Sequence, residues 1–233
     1  MAVVSARGAR VSYTRTGTGM PVLLIQGVGA IGDAWRLQVE GLRDRFTLIT
    51  FDNRGIGAST ITDGSLSVEA MADDALAILD AEGIDRCHVV GHSMGGLIAM
   101  QLALTSPRRV RSLTLLSTFP DGKSGSRLTW DNLRARIRTP IIRRQLRAMS
   151  RFDPKWRLRC LAATRTLIVT GKDDRIALPE HGRKLASAIP GATYLELENA
   201  GHAVAIESAS LINRLLVEHM TEVGHLSATR KQG

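Results

Sequence analysis

The run Gly91-His92-Ser93-Met94-Gly95-Gly96, directly behind the apolar segment Cys87-His88-Val89-Val90, constrains this chain more than any other stretch. A serine with a glycine two residues to either side, leaving a short strand and entering a helix, is the pattern of a nucleophile elbow. The turn must be tight and its backbone strained, so that the hydroxyl stands exposed above the sheet. Side chains at the two flanking positions would collide with neighbouring backbone, which predicts glycine at both. A motif this short also arises from composition alone, so its weight depends on what surrounds it.

At 233 residues the chain suits one domain, or one domain with an insertion. A hydrophobic share of 44% against 23% charged is enough apolar content for a core. No stretch reaches the roughly 20 apolar residues of a membrane helix. The start, MAVVSARGAR, has no apolar h-region, so no signal peptide is expected. Cys87 and Cys160 lie far apart without metal-ligand spacing and read as free thiols of a reducing, cytoplasmic setting. The net charge of +9 is local in origin: residues 119–165 hold thirteen Lys/Arg and three Asp/Glu, leaving the rest of the chain near neutral.

Apolar runs rich in Val, Ile and Leu alternate with helix-period segments, the signature of a mostly parallel sheet with crossover helices. Val3-Val4 and Val11–Tyr13 flank Arg7-Gly8 as an opening antiparallel hairpin. Strands are expected at Pro21–Gln26, Phe46–Phe51, Cys87–Val90, Val110–Leu116, Thr166–Thr170 and Thr193–Leu197. Helices are expected at Asp33–Leu42, from Ser67 as cap to Gly83, at Gly95–Thr105, Pro179–Ile189 and Val204 to about His219, with a frayed tail over Ser227–Gly233. The strand pattern breaks in the basic segment. This divides the chain into a core over 1–118, an insertion over 119–164 and the rest of the core over 165–233.

Acyl transfer by serine needs a base for its proton, an acid to hold that base, and donors for the oxyanion. His202, in Asn199-Ala200-Gly201-His202 behind the last strand, is the candidate base. Asp174, in Gly171-Lys172-Asp173-Asp174-Arg175 behind the TLIVT strand, is the candidate acid, with Asp173 its near rival and Asp121 a more distant one. Alone, a loop histidine is usually a surface residue and an aspartate pair a helix cap; together, in the order Ser93, Asp174, His202 and each at a strand end, they read as a triad. The backbone amides of Met94 and of Val28, in the glycine-rich loop after Pro21–Gln26, are the candidate oxyanion donors. Losing one such donor would cost on the order of 3 kcal/mol of transition-state stabilisation.

The stretches LLIQGVG, FDNRGIGAS, VVGHSMGGLIA, LIVTGKDDRIALP and NAGHAVAIES together resemble the α/β-hydrolase superfamily, particularly its esterase, lactonase and cofactor-free haloperoxidase branch. They cover nearly all of the chain outside 119–164, in the family's order. The resemblance implies an eight-stranded, mostly parallel sheet with helices on both faces and two-step acyl-enzyme hydrolysis of small to medium carboxylic esters. It assigns Ser93 as nucleophile, His202 as base and Asp174 as acid, with no metal or organic cofactor. Lactone hydrolysis, C–C bond hydrolysis and perhydrolysis are the alternatives within the family, and a non-catalytic small-molecule binding protein the alternative outside enzymes. Two departures stand out. Gln26-Gly27 replaces a common His-Gly, and the insertion is shorter than the usual helical cap, which predicts an open active site or a cap completed by a second subunit.

Two competing fingerprints need an answer. Gly27-Val28-Gly29-Ala30-Ile31-Gly32 matches G-x-G-x-x-G behind a strand, with Asp52 ending the next strand, the outline of an NAD(P)-dependent oxidoreductase. The hydrolase pattern explains the following Asn53-Arg54-Gly55-Ile56-Gly57, and the dinucleotide pattern does not. Ser117 to Ser124 ends in GKS like a P-loop, but its first glycine is missing and Pro120 removes an N–H that should cradle phosphate. Arg134 to Arg165 interleaves arginines with apolar residues and reads as an amphipathic cap helix with its arginines in water. Contact with an anionic membrane surface is the secondary reading, and nucleic-acid binding is not expected because the core adds no basic face.

Overall fold

The structure, a computed structural model, describes residues 1–63, 66–125 and 139–229, at the level of the backbone for 155, 156 and 222–229. Nine strands among the described residues form one sheet: β1 (Ala2–Ala6), β2 (Ala9–Thr16), β3 (Met20–Ile25), β4 (Phe46–Phe51), β5 (Thr60–Ile61), β6 (Cys87–His92), β7 (Val110–Leu116), β8 (Arg165–Gly171) and β9 (Thr193–Leu197). Their order is β1-β2-β4-β3-β6-β7-β8-β9, with β5 beside β2. The hairpin β1–β2 turns at Gly8, whose φ of +72° is a left-handed conformation, and pairs Val4 with Val11 and Ala6 with Ala9. From β4 and β3 through β9 all neighbours run parallel. The eight expected strands gain the two-residue β5, because Thr60 and Ile61 add to the rim of β2 at Arg10 and Ala9.

The helices are α1 (Arg36–Leu42), α2 (Val68–Ala81), α3 (Met94–Thr105), α4 (Pro140–Arg151), α5 (Pro179–Ala188), α6 (Val204–Glu207) and α7 (Ala209–Thr229). One sheet face packs against α2, α3 and α5, the other against α1 and α7, giving two hydrophobic layers, and Leu146 and Met149 of α4 join the first of them. Ser67 caps α2 by accepting from the Ala70 amide at 3.1 Å. α3 is apolar on every side because β6 and β7 lie beneath it while α2 and the 3₁₀ segment Lys155–Ala163 flank it.

Four details differ from the sequence pattern. The helix expected from Asp33 starts as a 3₁₀ turn over Gly32–Trp35 before α1 begins. The helix expected from Val204 breaks at Ser208 into α6 and α7, because φ −124° and ψ 35° there leave the helical region. α7 then continues to Thr229, so the expected frayed tail is helical over its first three residues. In the basic segment, Pro140 starts an amphipathic helix whose Arg143, Arg144, Arg147 and Arg151 are exposed while Gln145, Leu146, Ala148 and Met149 are buried. Residues 126–138 of that expected helix lie outside the described residues. No helix among the described residues is long and apolar enough to cross a membrane.

Four histidines are built into this core, and in each of them, His181 included, burial lowers the pKa, most strongly in three. Burial pushes the pKa of His88, hydrogen-bonded to Ser112 Oγ at 2.8 Å, down to about 3. It pushes His219, beside Arg165, down to about 4, and His92 likewise down to about 4. Each stays neutral in the folded chain where the unfolded chain, with its ordinary value of 6.5, already binds protons. Their contribution is complete above pH 6.5 and is lost as the pH falls toward 4, at up to about 1.4 kcal/mol per pH unit for each group. The expected result is a denaturant midpoint markedly lower at about pH 5 than at about pH 7, with part of the difference removed in His88→Gln. A midpoint flat across that window would contradict it.

Candidate active site

β6 ends at His92, α3 begins at Met94, and Ser93 lies between them with φ 55° and ψ −121°. A non-glycine residue held there is strained and must be held by its surroundings. The Ser93 amide donates to Leu116 O at 3.0 Å, and the Ser93 carbonyl accepts from Thr118 Oγ1 at 2.6 Å and from the Gly96 amide at 2.9 Å. A Cβ on Gly91 would run into the Gly95 carbonyl, one on Gly95 into the Ile25 carbonyl, and one on Gly96 into the Thr118 side chain. The two flanking glycines are thus required by neighbouring backbone, as the motif predicts, and a third is required by β7's exit.

The loops after β8 and β9 approach so closely that a Cβ on Gly171 would strike the carbonyls of Ala200 and Gly201. The Asp173 amide ties the two loops through Ala200 O at 2.9 Å. His202 Nε2 lies 3.1 Å from Ser93 Oγ, and His202 Nδ1 lies 2.9 and 3.1 Å from the two carboxylate oxygens of Asp174. The Asp174 side chain is fully buried, and its Oδ1 accepts from the amides of Ile176 and Ala177, both at 2.8 Å. A carboxylate only accepts, so Nδ1 carries the proton and Nε2 is left to accept from Ser93. Asp173 is exposed, and Asp121 accepts from the Ser124 amide and hydroxyl at 2.8 and 3.0 Å. Of the three aspartates weighed, Asp174 stands at His202.

Gly27 lies against the serine: a Cβ there would sit 3.1 Å from Ser93 Cβ. Neither the Val28 nor the Met94 amide has an acceptor among the described residues. For Met94 this follows from its place at the first position of a helix. Ser93 is 7% exposed, and α4 approaches the loop beside it: Ile142 fills the space over Gly29, Ile141 that over Gly55, and Gln145 Oε1 accepts from the Gly29 amide at 2.9 Å.

Two further residues shape the site. His92 Nε2 lies 2.8 Å from the carbonyl of His202, which fixes this nitrogen as the donor. Its ring is 5.0 Å from that of His202 and meets Trp35 edge-on at 6.5 Å. His92 sits inside the opening motif, yet spacing gave no hint that its partner would be a carbonyl 110 residues away. Gln26, where a His-Gly is common, donates from Nε2 to the Phe51 carbonyl and accepts at its backbone carbonyl from Asn53 Nδ2 at 3.3 Å.

The competing fingerprints are built differently. Asp52 receives the amides of Gly32 at 2.7 Å and Ala58 at 2.9 Å, so the carboxylate that a dinucleotide ribose would need is occupied by backbone. In the GKS stretch, a single helical turn at 122–125 is capped by Asp121, and the Gly122 amide donates to Phe152 O at 2.8 Å. The amides of Gly122 and Ser124, which a phosphate cradle would need, are thus used within the chain.

A family model for the alpha/beta hydrolase fold matches residues 20–138. RutD of Azorhizobium caulinodans, provisionally named a carbamate hydrolase, is 28% identical over 91% of this chain and 95% of its own. The enol-lactonase of Burkholderia xenovorans LB400 superposes with a TM-score of 0.79 at 25% identity, over 94% of this chain and all of the other. A thermophilic esterase of Thermogutta terrifontis superposes with a TM-score of 0.79 over 95% of this chain and 98% of its own, at 24% identity, and speaks for the fold alone.

Proposed function

The chain belongs to the α/β-hydrolase fold family, and from that premise we propose that it is a serine carboxylesterase acting on small to medium esters. The reading is carried by the unbroken line from Asp174 through His202 to a strained Ser93. Ser93 Oγ attacks the acyl carbon while His202 Nε2 takes its proton, and Asp174 stabilises the imidazolium that forms. The oxyanion lies at the amides of Val28 and Met94, which have no acceptor among the described residues. Collapse breaks the ester C–O bond, and the departing alkoxide takes the proton from His202. Water then attacks the acyl-enzyme with His202 again as base, releasing the acid and restoring Ser93. The route calls on no metal or organic cofactor.

A lactone is a cyclic ester and follows the same steps; the likeness to an enol-lactonase makes it the second substrate class. Residues 119–164 serve as a reduced cap, with α4 closing over the acyl group. The two unpaired cysteines, one of them exposed, fit a reducing cytoplasm. A fluorophosphonate tests the proposal: the native chain is expected to gain one covalent adduct at Ser93, and Ser93→Ala none. A panel of p-nitrophenyl esters of rising chain length beside simple lactones then ranks the two classes. A native chain that fails to label refutes the esterase reading.

A further inference from the structure

The loop that presents the Val28 amide is anchored at two places. At its base, Gln26 donates to the Phe51 carbonyl and accepts from Asn53, and Gly27 stands against Ser93. Its tip, residues 28–30, makes two hydrogen bonds among the described residues. The Ala30 amide donates to the Gly27 carbonyl at a long 3.4 Å, and the Gly29 amide donates to Gln145 Oε1 at 2.9 Å. Gly29 has φ +71° while Val28 stays outside the left-handed region, so residues 27–30 follow the pattern of a type II turn. Such a turn becomes type I when the peptide between its two central residues flips over. Here that peptide joins Val28 to Gly29, and its N–H is the group that Gln145 holds. The peptide before it carries the Val28 amide, and the two meet at the Val28 Cα.

Packing does not explain a glutamine at 145. The side chain is fully buried on a helix face shared with Leu146 and Met149, and its Nε2 has no acceptor among the described residues. Burying an unpaired donor costs stability, and a methionine of similar length would fill the same space without one. Gly29 is exposed, so water would serve its amide if Gln145 did not. The bond therefore adds little to folding. What it adds is one fixed orientation of the turn.

We propose that Gln145 is a positioning residue for the reaction: by holding the Val28–Gly29 peptide from α4, it keeps the Val28 amide aimed at the oxyanion. This role rests on the esterase reading. Gln145→Met is expected to lower kcat for a p-nitrophenyl ester about 10- to 100-fold, less than outright loss of a donor, with KM within about twofold. Its guanidinium midpoint is expected to equal or exceed that of the native chain, which loss of a merely structural residue would not give. Gln145→Glu keeps an acceptor at the same reach and is expected to recover most of the lost rate. Hydrogen exchange at the Gly29 amide, followed by NMR, is expected to quicken about tenfold in Gln145→Met and to slow again in Gln145→Glu. A kcat within about twofold of native in Gln145→Met, or a folded Gln145→Glu as slow as Gln145→Met, overturns the role. A midpoint that falls in step with kcat overturns it as well. A native chain that neither labels with a fluorophosphonate nor hydrolyses the ester refutes the esterase reading instead. Gly29 exchange that is equal in the native chain and Gln145→Met overturns the hold on the turn in either case.

Discussion

Ser93→Ala is expected to lower kcat for a p-nitrophenyl ester by roughly 10⁴- to 10⁶-fold, leaving only the rate supplied by binding and the oxyanion donors. Asp174→Asn is expected to fall on the order of 10⁴-fold with KM little changed. The reason is geometric. Asparagine keeps the shape, but its amide group facing Nδ1 turns His202 to the tautomer that presents a proton to Ser93. Two buried amides, from Ile176 and Ala177, hold Oδ1, so the Asn oxygen stays there and the NH₂ faces the ring. Asp173→Asn, one residue away but exposed, is expected to stay within about twofold, the ordinary effect of a surface change. Steady-state kinetics on the three variants decides the matter. A loss in Asp173→Asn as large as that in Asp174→Asn would move the acid to its neighbour.

Arg54→Ala is expected to cost roughly 3–5 kcal/mol of stability, a large part of the usual margin for a domain. Arg54 Nε and Nη2 meet the two carboxylate oxygens of Asp74 at 2.7 and 2.6 Å, and Nη2 also reaches the carbonyls of Arg7 and Ala70 at 3.2 Å. Both side chains are 1% exposed. Burial pushes the Asp74 carboxyl above its ordinary range, while Arg54 works in the opposite direction. Removing the guanidinium strands the carboxyl in the core and frees two backbone carbonyls. Arg54→Met with Asp74→Leu is expected to recover most of the loss, because breaking one partner costs more than replacing both. Guanidinium unfolding of the single and double variants gives the comparison. A single variant within about 1 kcal/mol of the native chain would show that the pair adds nothing net.

The elbow, the strands and the meeting of Asp174 with His202 were legible because each is written locally. Glycines crowd the turn at Ser93, β-branched runs mark β4, β7 and β8, and Asp174 and His202 each follow a strand end. What stayed hidden depends on long-range contact. Gln145 and Ile142 reach Gly29 from more than a hundred residues away, a contact that no local spacing announces. The Arg54–Asp74 pair joins a loop to a helix that already carries two adjacent aspartates, and sequence does not say which one turns inward. The break at Ser208 keeps an apolar period running through it, so periodicity joined α6 to α7.

The strand order also dictates a schedule for the ribosome. β7 is apolar and buried along nearly its whole length, yet its outer neighbour β8 starts only at Arg165. At about 5–20 residues per second, synthesis leaves that edge unpaired for several seconds, the state in which strands recruit other chains. What emerges during the wait is the arginine-rich stretch, whose like charges repel a second nascent chain. His202 follows β9 in the chain, so Ser93 meets its proposed base only after all nine described strands have been made, and a product that stops before residue 202 lacks the line from Asp174 through His202 to Ser93.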